Sequence, residues 1–301
     1  VEHFDWMLFG LTLILLTIGL VGIYSATFDQ SVGLSRWVTR QMIWVGVGLL
    51  AMGVSFAFDY RRLEQWAPVL YFLALVLLLS VPIIGSSGGG ARRWISLGSF
   101  SLQPSEFMKV ALVLMLARLY HRYAPAEGYG LRDIAMPVVF VTLPVGMILL
   151  QPNLGTAVTL CCVFLTVTFT AGIRLKALSI ITLAAGGTMP FLWTYLRPYQ
   201  QRRVLSFLHP DLDPLGAGYH MIQSKLTVGS GMFWGKGFLL GTQNRLDFLP
   251  EKHTDFIFAV FAEEWGFIGT AFLLFVYASL LARLLVIALR ARERFGLLIA
   301  T

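Results

Sequence analysis

The sequence predicts an all-α fold, a polytopic membrane helix bundle, and three observations carry that expectation. Hydrophobic residues make up 57% of the chain and charged residues only 13%, against about a quarter charged in a soluble domain. Mean hydropathy is +0.73. The apolar residues fall in runs of bilayer-spanning length that do not alternate, which excludes the strands of a membrane β-barrel. A bilayer imposes one layered bundle, so residues 1–301 are expected to form a single integral membrane domain.

Eight spanning segments are expected, at 6–27, 39–58, 67–84, 103–120, 134–150, 155–173, 177–196 and 255–289. The first is long enough to span, follows Asp5 and lacks a strong cleavage site, so it reads as an anchor and not a removed signal peptide. The second and third are separated by Arg61 and Arg62, and the third and fourth by the glycine-rich loop 85–102. The fourth carries Glu106 and Lys109 inside an apolar run. The fifth and sixth are joined by Gln151-Pro152-Asn153-Leu154-Gly155, whose Pro, Asn and Gly are turn formers. Cys161 and Cys162 are neighbours in the sixth, cannot form an ordinary structural staple and read as packing residues. The seventh follows Arg174 and Lys176, and the eighth is long for one span, so it is expected to tilt or to extend beyond the bilayer. The chain opens on Val1 without an initiator Met, which points to a trimmed terminus.

Charge sets the orientation. With the N-terminus cytoplasmic, the inner connections hold Arg61, Arg62, Arg118, Arg122, Arg132, Arg174, Lys176, Arg290, Arg292 and Arg294. The outer ones hold Arg36, Arg40, Arg92 and Arg93, an asymmetry that favours N-in. The net charge of +7 is the product of these loops. It forms no basic stripe on a soluble face, so nucleic acid is not expected as a partner.

That orientation places 197–254 outside the cytoplasm, between segments 7 and 8. It is too long to be a mere connector. It interleaves Tyr219, Met221, Phe233, Trp234 and Phe238 with Arg197, Arg202, Arg203, Lys225, Lys236, Arg245 and Lys252. Such a surface suits the membrane face and anionic head groups, as short helical pieces broken by glycines. Gly85 to Gly90 reads as a flexible loop. Gly229-Ser230-Gly231 to Gly235-Lys236-Gly237 fails as a P-loop, because Ser230 stands in place of the first Gly and Gly237 in place of Ser or Thr. No nucleotide is expected.

Four acidic positions are candidates for chemistry or for structural pairing. Asp255 follows Lys252 and His253 and directly precedes an apolar helix, so its carboxylate sits where water meets hydrocarbon. His253 and Asp255 also suggest a metal or acid–base pair, but His-x-Asp without a further ligand cluster is weak support for zinc. Glu106 and Lys109 are three apart on one helix face, which fits a structural ion pair and equally the wall of a polar cavity. Glu263 and Glu264 lie two to three turns into the last segment, where at least one must pair with a base or face water. A structural role suits them better than catalysis.

The dispersed motifs then converge. Arg92-Arg93-Trp94-Ile95, Gln103-Pro104-Ser105-Glu106 with Lys109, and Gln151-Pro152-Asn153-Leu154-Gly155 come first. Gly216-Ala217-Gly218-Tyr219-His220, Ile222-Gln223-Ser224-Lys225, Gly235-Lys236-Gly237 and Gly241-Thr242-Gln243 follow. Phe248-Leu249-Pro250-Glu251 and His253-Thr254-Asp255-Phe256-Ile257-Phe258 complete the set. In this order they resemble the SEDS membrane glycosyltransferases from about residue 20 to the end of the chain. The Gly-Tyr-His and Gly-Thr-Gln versions are similar to the elongation branch of the family, not the division branch.

The resemblance implies a peptidoglycan glycosyltransferase that polymerises lipid II into glycan strands during cell elongation and shape maintenance. It implies a multi-pass protein of the bacterial cytoplasmic (inner) membrane, with the active site on the extracytoplasmic side. Asp255 falls on the family's essential aspartate, and Glu106 and Lys109 on its intramembrane charged pair. Lipid II, a class B penicillin-binding transpeptidase and other elongation-complex membrane proteins are the implied partners. Arg202, Arg203, Lys225, Lys252 and His253 are candidates around the substrate diphosphate, with a divalent cation (Mg or Mn) as a candidate cofactor and its ligands unknown. Two departures stand out. Asn153 occupies a position where Asp is common, and ten spanning segments are expected for the family where this chain holds eight and an apolar start at 297–301, which points to a C-terminal truncation. The bare residues leave open a lipid II flippase and a non-catalytic scaffold for a cell-wall synthase.

Overall fold

The computed structural model describes residues 4–28, 35–88, 91–97, 100–125, 127–151, 153–195, 198–209, 211, 218–242 and 253–301. All eight apolar segments are helical: α1 Trp6–Ala26, α2 Arg36–Ser55, α3 Tyr60–Ile84, α4 Pro104–Arg122, α5 Leu131–Leu150, α6 Leu154–Ala171, α7 Leu175–Tyr195 and α10 Ile257–Leu289. Two shorter helices, α8 Pro198–Leu208 and α9 Tyr219–Ser230, lie in the long connection, and α11 Arg294–Ala300 follows α10. Among the described residues six helices are long and apolar enough to cross a membrane, namely α1, α2, α3, α5, α6 and α10. The outward faces suit that setting, with Ile83, Leu150 and Leu289 each more than three-quarters exposed. Cys161 and Cys162 are free thiols on an exposed face, not the packing residues expected.

Two helices start earlier than their apolar runs, and caps explain it. Ser35 accepts a hydrogen bond from Trp37 N at 3.2 Å and Asp59 accepts one from Arg61 N at 3.0 Å, so α2 and α3 begin on polar turns. Asp5 and Asn153 cap α1 and α6 in the same way.

The chain packs as two units. The first comprises 1–57 and 195–284, the second 58–194 and 285–301. In the second, α4 packs against α3, α5, α6 and α11, around buried Tyr71, Leu78, Met108, Leu112, Leu116, Tyr120 and Leu160. The expected flexible loop after α3 is instead an antiparallel sheet: β1 Ser86–Gly88, β2 Ala91–Leu97 and β3 Phe100–Leu102, in the order β1-β2-β3. Ser86 opposes Trp94 and donates its hydroxyl to the Trp94 carbonyl at 3.1 Å, while Ile95 turns inward and is buried. The aromatic and β-branched residues of β2 override the glycine-rich signal before it.

Prolines tie the second unit together. A proline inside a helix leaves the carbonyl four residues earlier without its N–H donor. Pro68 frees Glu64 O, which takes a hydrogen bond from Arg118 Nη1 at 2.5 Å. Pro82 frees Leu78 O, which takes one from Gln151 Nε2 at 3.0 Å. Pro144 frees Phe140 O, which takes one from the Tyr71 hydroxyl at 2.8 Å. Each break is mended by a side chain from another helix or its cap, so the breaks become points of attachment.

Candidate functional site

Asp255 lies in the turn 253–256 immediately before α10, with its side chain exposed. It has no hydrogen-bond or ion-pair partner among the described residues. The residues around it are held. His253 is half-buried and its ring lies 4.1 Å from that of Trp37 on α2. Phe256 packs on Ala26, Ala259 and Val260 and stacks on His220 of α9. Ile257 touches the open face left by Gly22 on α1. A free carboxylate on a fixed frame is the arrangement a general base requires.

The helix that follows Asp255 is broken. Gly266 has φ 63° and ψ −161°, far outside helical values. The expected single long segment is therefore two helices, which accounts for its excess length. An unbroken α10 would give Glu263 O and Glu264 O the N–H groups of Phe267 and Ile268. Here Glu263 O accepts from Lys236 N and Glu264 O from Gly237 N, both at 3.0 Å. Phe267 N and Ile268 N donate instead to Met232 O at 2.9 Å and Phe233 O at 3.3 Å. The segment 231–237 thus exchanges backbone hydrogen bonds with the break and leaves these groups satisfied, the condition for irregular backbone at membrane depth.

Side chains lock the exchange. Glu263 is fully buried and its Oε1 lies 2.6 Å from Lys236 Nζ. The same oxygen accepts from the Thr242 hydroxyl at 3.2 Å and the Ser230 hydroxyl at 3.4 Å. Lys236 Nζ also donates to Thr242 Oγ1 at 2.7 Å. Glu264, equally buried, accepts from the Ser25 hydroxyl of α1. Both glutamates are partnered, in keeping with the expectation that at least one would be. In the sequence Lys236 stands among the loop cations and in the Gly235-Lys236-Gly237 motif, with no sign of Glu263 as its partner. The available signals were the glycine spacing at 231, 235 and 237, set aside as a failed P-loop, and Gly266 inside an apolar run.

The remaining candidates divide between the units. Glu106 and Lys109 belong to the second, in the first turns of α4, with Lys109 Nζ 2.7 Å from Glu106 Oε2 and both side chains partly exposed. Pro104 at the first position of α4 and Glu106 in its first turn suit a helix N-terminus. Arg202 on α8 and Lys225 on α9 belong to the first unit and are exposed. Lys252 and the side chain of Arg203 lie outside the described residues, as do Gly216, Ala217 and 248–251 of the motifs. Gln151 and Asn153, whose connection reads as a plain turn, serve as the pin on Leu78 and the cap of α6. Among the described residues no three His, Cys, Asp or Glu side chains gather to hold a metal ion.

Comparison with known proteins agrees with this architecture. Residues 5–301 match the model of the FtsW, RodA and SpoVE family, described as cell cycle proteins. The chain is 40% identical over 299 residues to the peptidoglycan glycosyltransferase MrdB of Escherichia coli K12, covering 99% of this chain and 79% of that one. It is 30% identical to the peptidoglycan glycosyltransferase RodA of Treponema pallidum, over all of this chain and 86% of that one. Among solved structures, a chain of a peptidoglycan synthase complex that coordinates polymerization and crosslinking superposes with a TM-score of 0.82 at 33% identity, covering 99% of this chain and 82% of that one. The RodA crystal structure from Thermus thermophilus superposes with a TM-score of 0.70 at 30% identity, covering 99% and 79%. A match over nearly the whole chain, in sequence and in fold, means that this multi-pass membrane protein belongs to the FtsW/RodA/SpoVE family.

Proposed function

We propose that this chain is a RodA-like peptidoglycan glycosyltransferase in which Asp255 is the general base. The activity is polymerisation of lipid II into glycan strands for cell elongation. The observation that carries the assignment of the base is the exposed carboxylate of Asp255, unengaged among the described residues, on a turn whose neighbours His253, Phe256 and Ile257 are all packed.

The donor is a sugar on a lipid diphosphate and the acceptor is a sugar hydroxyl. Asp255 takes the hydroxyl proton as the oxygen attacks the anomeric carbon. A glycosidic C–O bond forms, the bond to the diphosphate breaks, and its electron pair leaves on the diphosphate oxygen. Cations stabilise that leaving charge. Arg202, Arg203, Lys225 and Lys252 are the candidates from the connection between α7 and α10. A Mg²⁺ or Mn²⁺ ion at the diphosphate is the candidate cofactor, and no step above depends on it.

The Lys and Arg asymmetry supports an N-in topology in the bacterial inner membrane, with 197–254 and Asp255 on the extracytoplasmic side. We count α4 and α7 with the six apolar helices as spanning, eight in all. The two fall short on composition alone: α4 carries Glu106, Lys109, Arg118 and Arg122, and the apolar part of α7 is short. Likeness to a synthase complex that joins polymerization to crosslinking supports a penicillin-binding transpeptidase as partner. The rival reading, a lipid II flippase, would draw on the Glu106–Lys109 pair. Strand synthesis from lipid II by the purified protein, with no other polymerase present, decides between them. Product that disappears with Asp255→Asn supports the polymerase, and no product from the well-folded native chain sinks it.

A further inference from the structure

The first arm of α10, from Ile257 to Trp265, is short and is severed from the rest of the helix at Gly266. Asp255 stands at its outer end, eight residues before Glu263. That spacing is about 12 Å along a helix. A tilt of about 5° at the break therefore moves the carboxylate by about 1 Å, a displacement that catalytic geometry does not tolerate. Something must fix the direction of the arm.

The backbone exchange cannot do this alone. Its register is set by shape, since a methyl group on Gly231 or Gly235 would lie 2.1 Å from the Ala262 or Glu264 carbonyl oxygen. Its direction is held less tightly, because a hydrogen bond stays good out to about 30° from linear. Side chains narrow that freedom. Ser230 and Thr242, on either side of the inserted segment, and Lys236 within it all reach Glu263 Oε1. Such a pair adds little stability over apolar residues of the same size, whereas three contacts that converge on one buried oxygen favour a single orientation.

We infer that Lys236 and Glu263 are positioning residues for Asp255: their ion pair fixes the direction of the arm against the inserted segment. The inference rests on Asp255 being the base proposed above. Ser25 holds the same arm from α1 through Glu264, so the arm is gripped from two sides.

The test uses the purified full chain with lipid II. Lys236→Met, Glu263→Gln, the neutral double variant Lys236→Met/Glu263→Gln and the swap Lys236→Glu/Glu263→Lys are compared. Turnover, KM, thermal midpoint and hydrogen exchange of the 255–260 backbone are measured for each. The double variant leaves no lone buried charge, so it tests position apart from folding. The expected result is a near-native midpoint, KM within a few-fold, faster exchange at 255–260 and turnover lower by about 100-fold, with partial recovery in the swap. Native turnover in a well-folded double variant overturns the inference, as does a loss of turnover with unchanged exchange at 255–260. Asp255→Asn is run alongside. Near-normal strand synthesis by that variant removes the base and leaves the exchange readout of the pair standing, so the two failures are separable.

Discussion

Gly235 and Gly266 bring two backbones so close that a methyl group on Gly235 would lie 2.7 Å from the Gly266 nitrogen. Gly266 also holds a backbone conformation that L side chains rarely adopt. Gly266→Ala is expected to cost about 1–3 kcal/mol in backbone strain, with about 1–3 kcal/mol more from overpacking. Gly10→Ala is the control, because nothing lies within 4 Å of its added carbon on α1. Thermal unfolding in detergent should show a large fall for the first and no loss for the second.

The Tyr71 pin on the carbonyl freed by Pro144 makes a coupled prediction. Tyr71→Phe leaves Phe140 O without its donor, at about 1–3 kcal/mol for a buried unsatisfied acceptor. Pro144→Ala restores a backbone N–H to that carbonyl. Tyr71→Phe should therefore cost less in the Pro144→Ala background, and a double-mutant cycle on thermal stability reads the difference.

Glu106 and Lys109 form a close pair on α4. Neutralising one leaves a lone charge in a helix proposed to span the membrane, at about 2.5–3.5 kcal/mol. Glu106→Gln and Lys109→Met should each lower stability and strand yield, and Glu106→Lys/Lys109→Glu should recover part of both. Losses that simply add in the double neutral variant would show that the pair is worth nothing.

Asp5 links the cap of α1 to Arg283 of α10. Its carboxylate accepts from Leu8 N at 2.9 Å and from Arg283 Nε at 2.8 Å. The Leu8 hydrogen bond, with Arg283 behind it, holds the carboxyl below the ordinary aspartate value of 3.8. A depressed carboxyl stabilises the fold above its unfolded value, and that contribution is lost as pH falls through the native one. The thermal midpoint should drop as pH is taken below 3.8, and Asp5→Asn should flatten that part of the profile.

The helices were legible in the sequence because their signal is continuous, and Trp6 to Ala26 or Leu154 to Ala171 needs no partner to be recognised. Asp255, Glu106 and Lys109 were legible because charge beside or within an apolar run is costly and therefore conspicuous. The break at Gly266 was not. One glycine in an apolar helix is tolerated in many contexts, and its meaning here depends on carbonyls of Met232 and Phe233 brought up from another segment. Lys236 was hidden for the same reason, since its partner lies 27 residues away. The sheet at 86–102 was missed because Gly85 to Gly90 dominates a short window, while the pairing that orders Ser86 comes from Trp94 and Ser96.

Strand synthesis from lipid II by purified Asp255→Asn tests the central claim most directly. The substitution keeps the size of the side chain and removes the base, and a positioned base contributes about 10²–10⁴-fold in rate. The account predicts a well-folded variant with strand production lower by at least about 100-fold. Asp255→Glu should recover little of it, because the carboxylate moves by about 1 Å. Near-native strand production by folded Asp255→Asn would contradict the account.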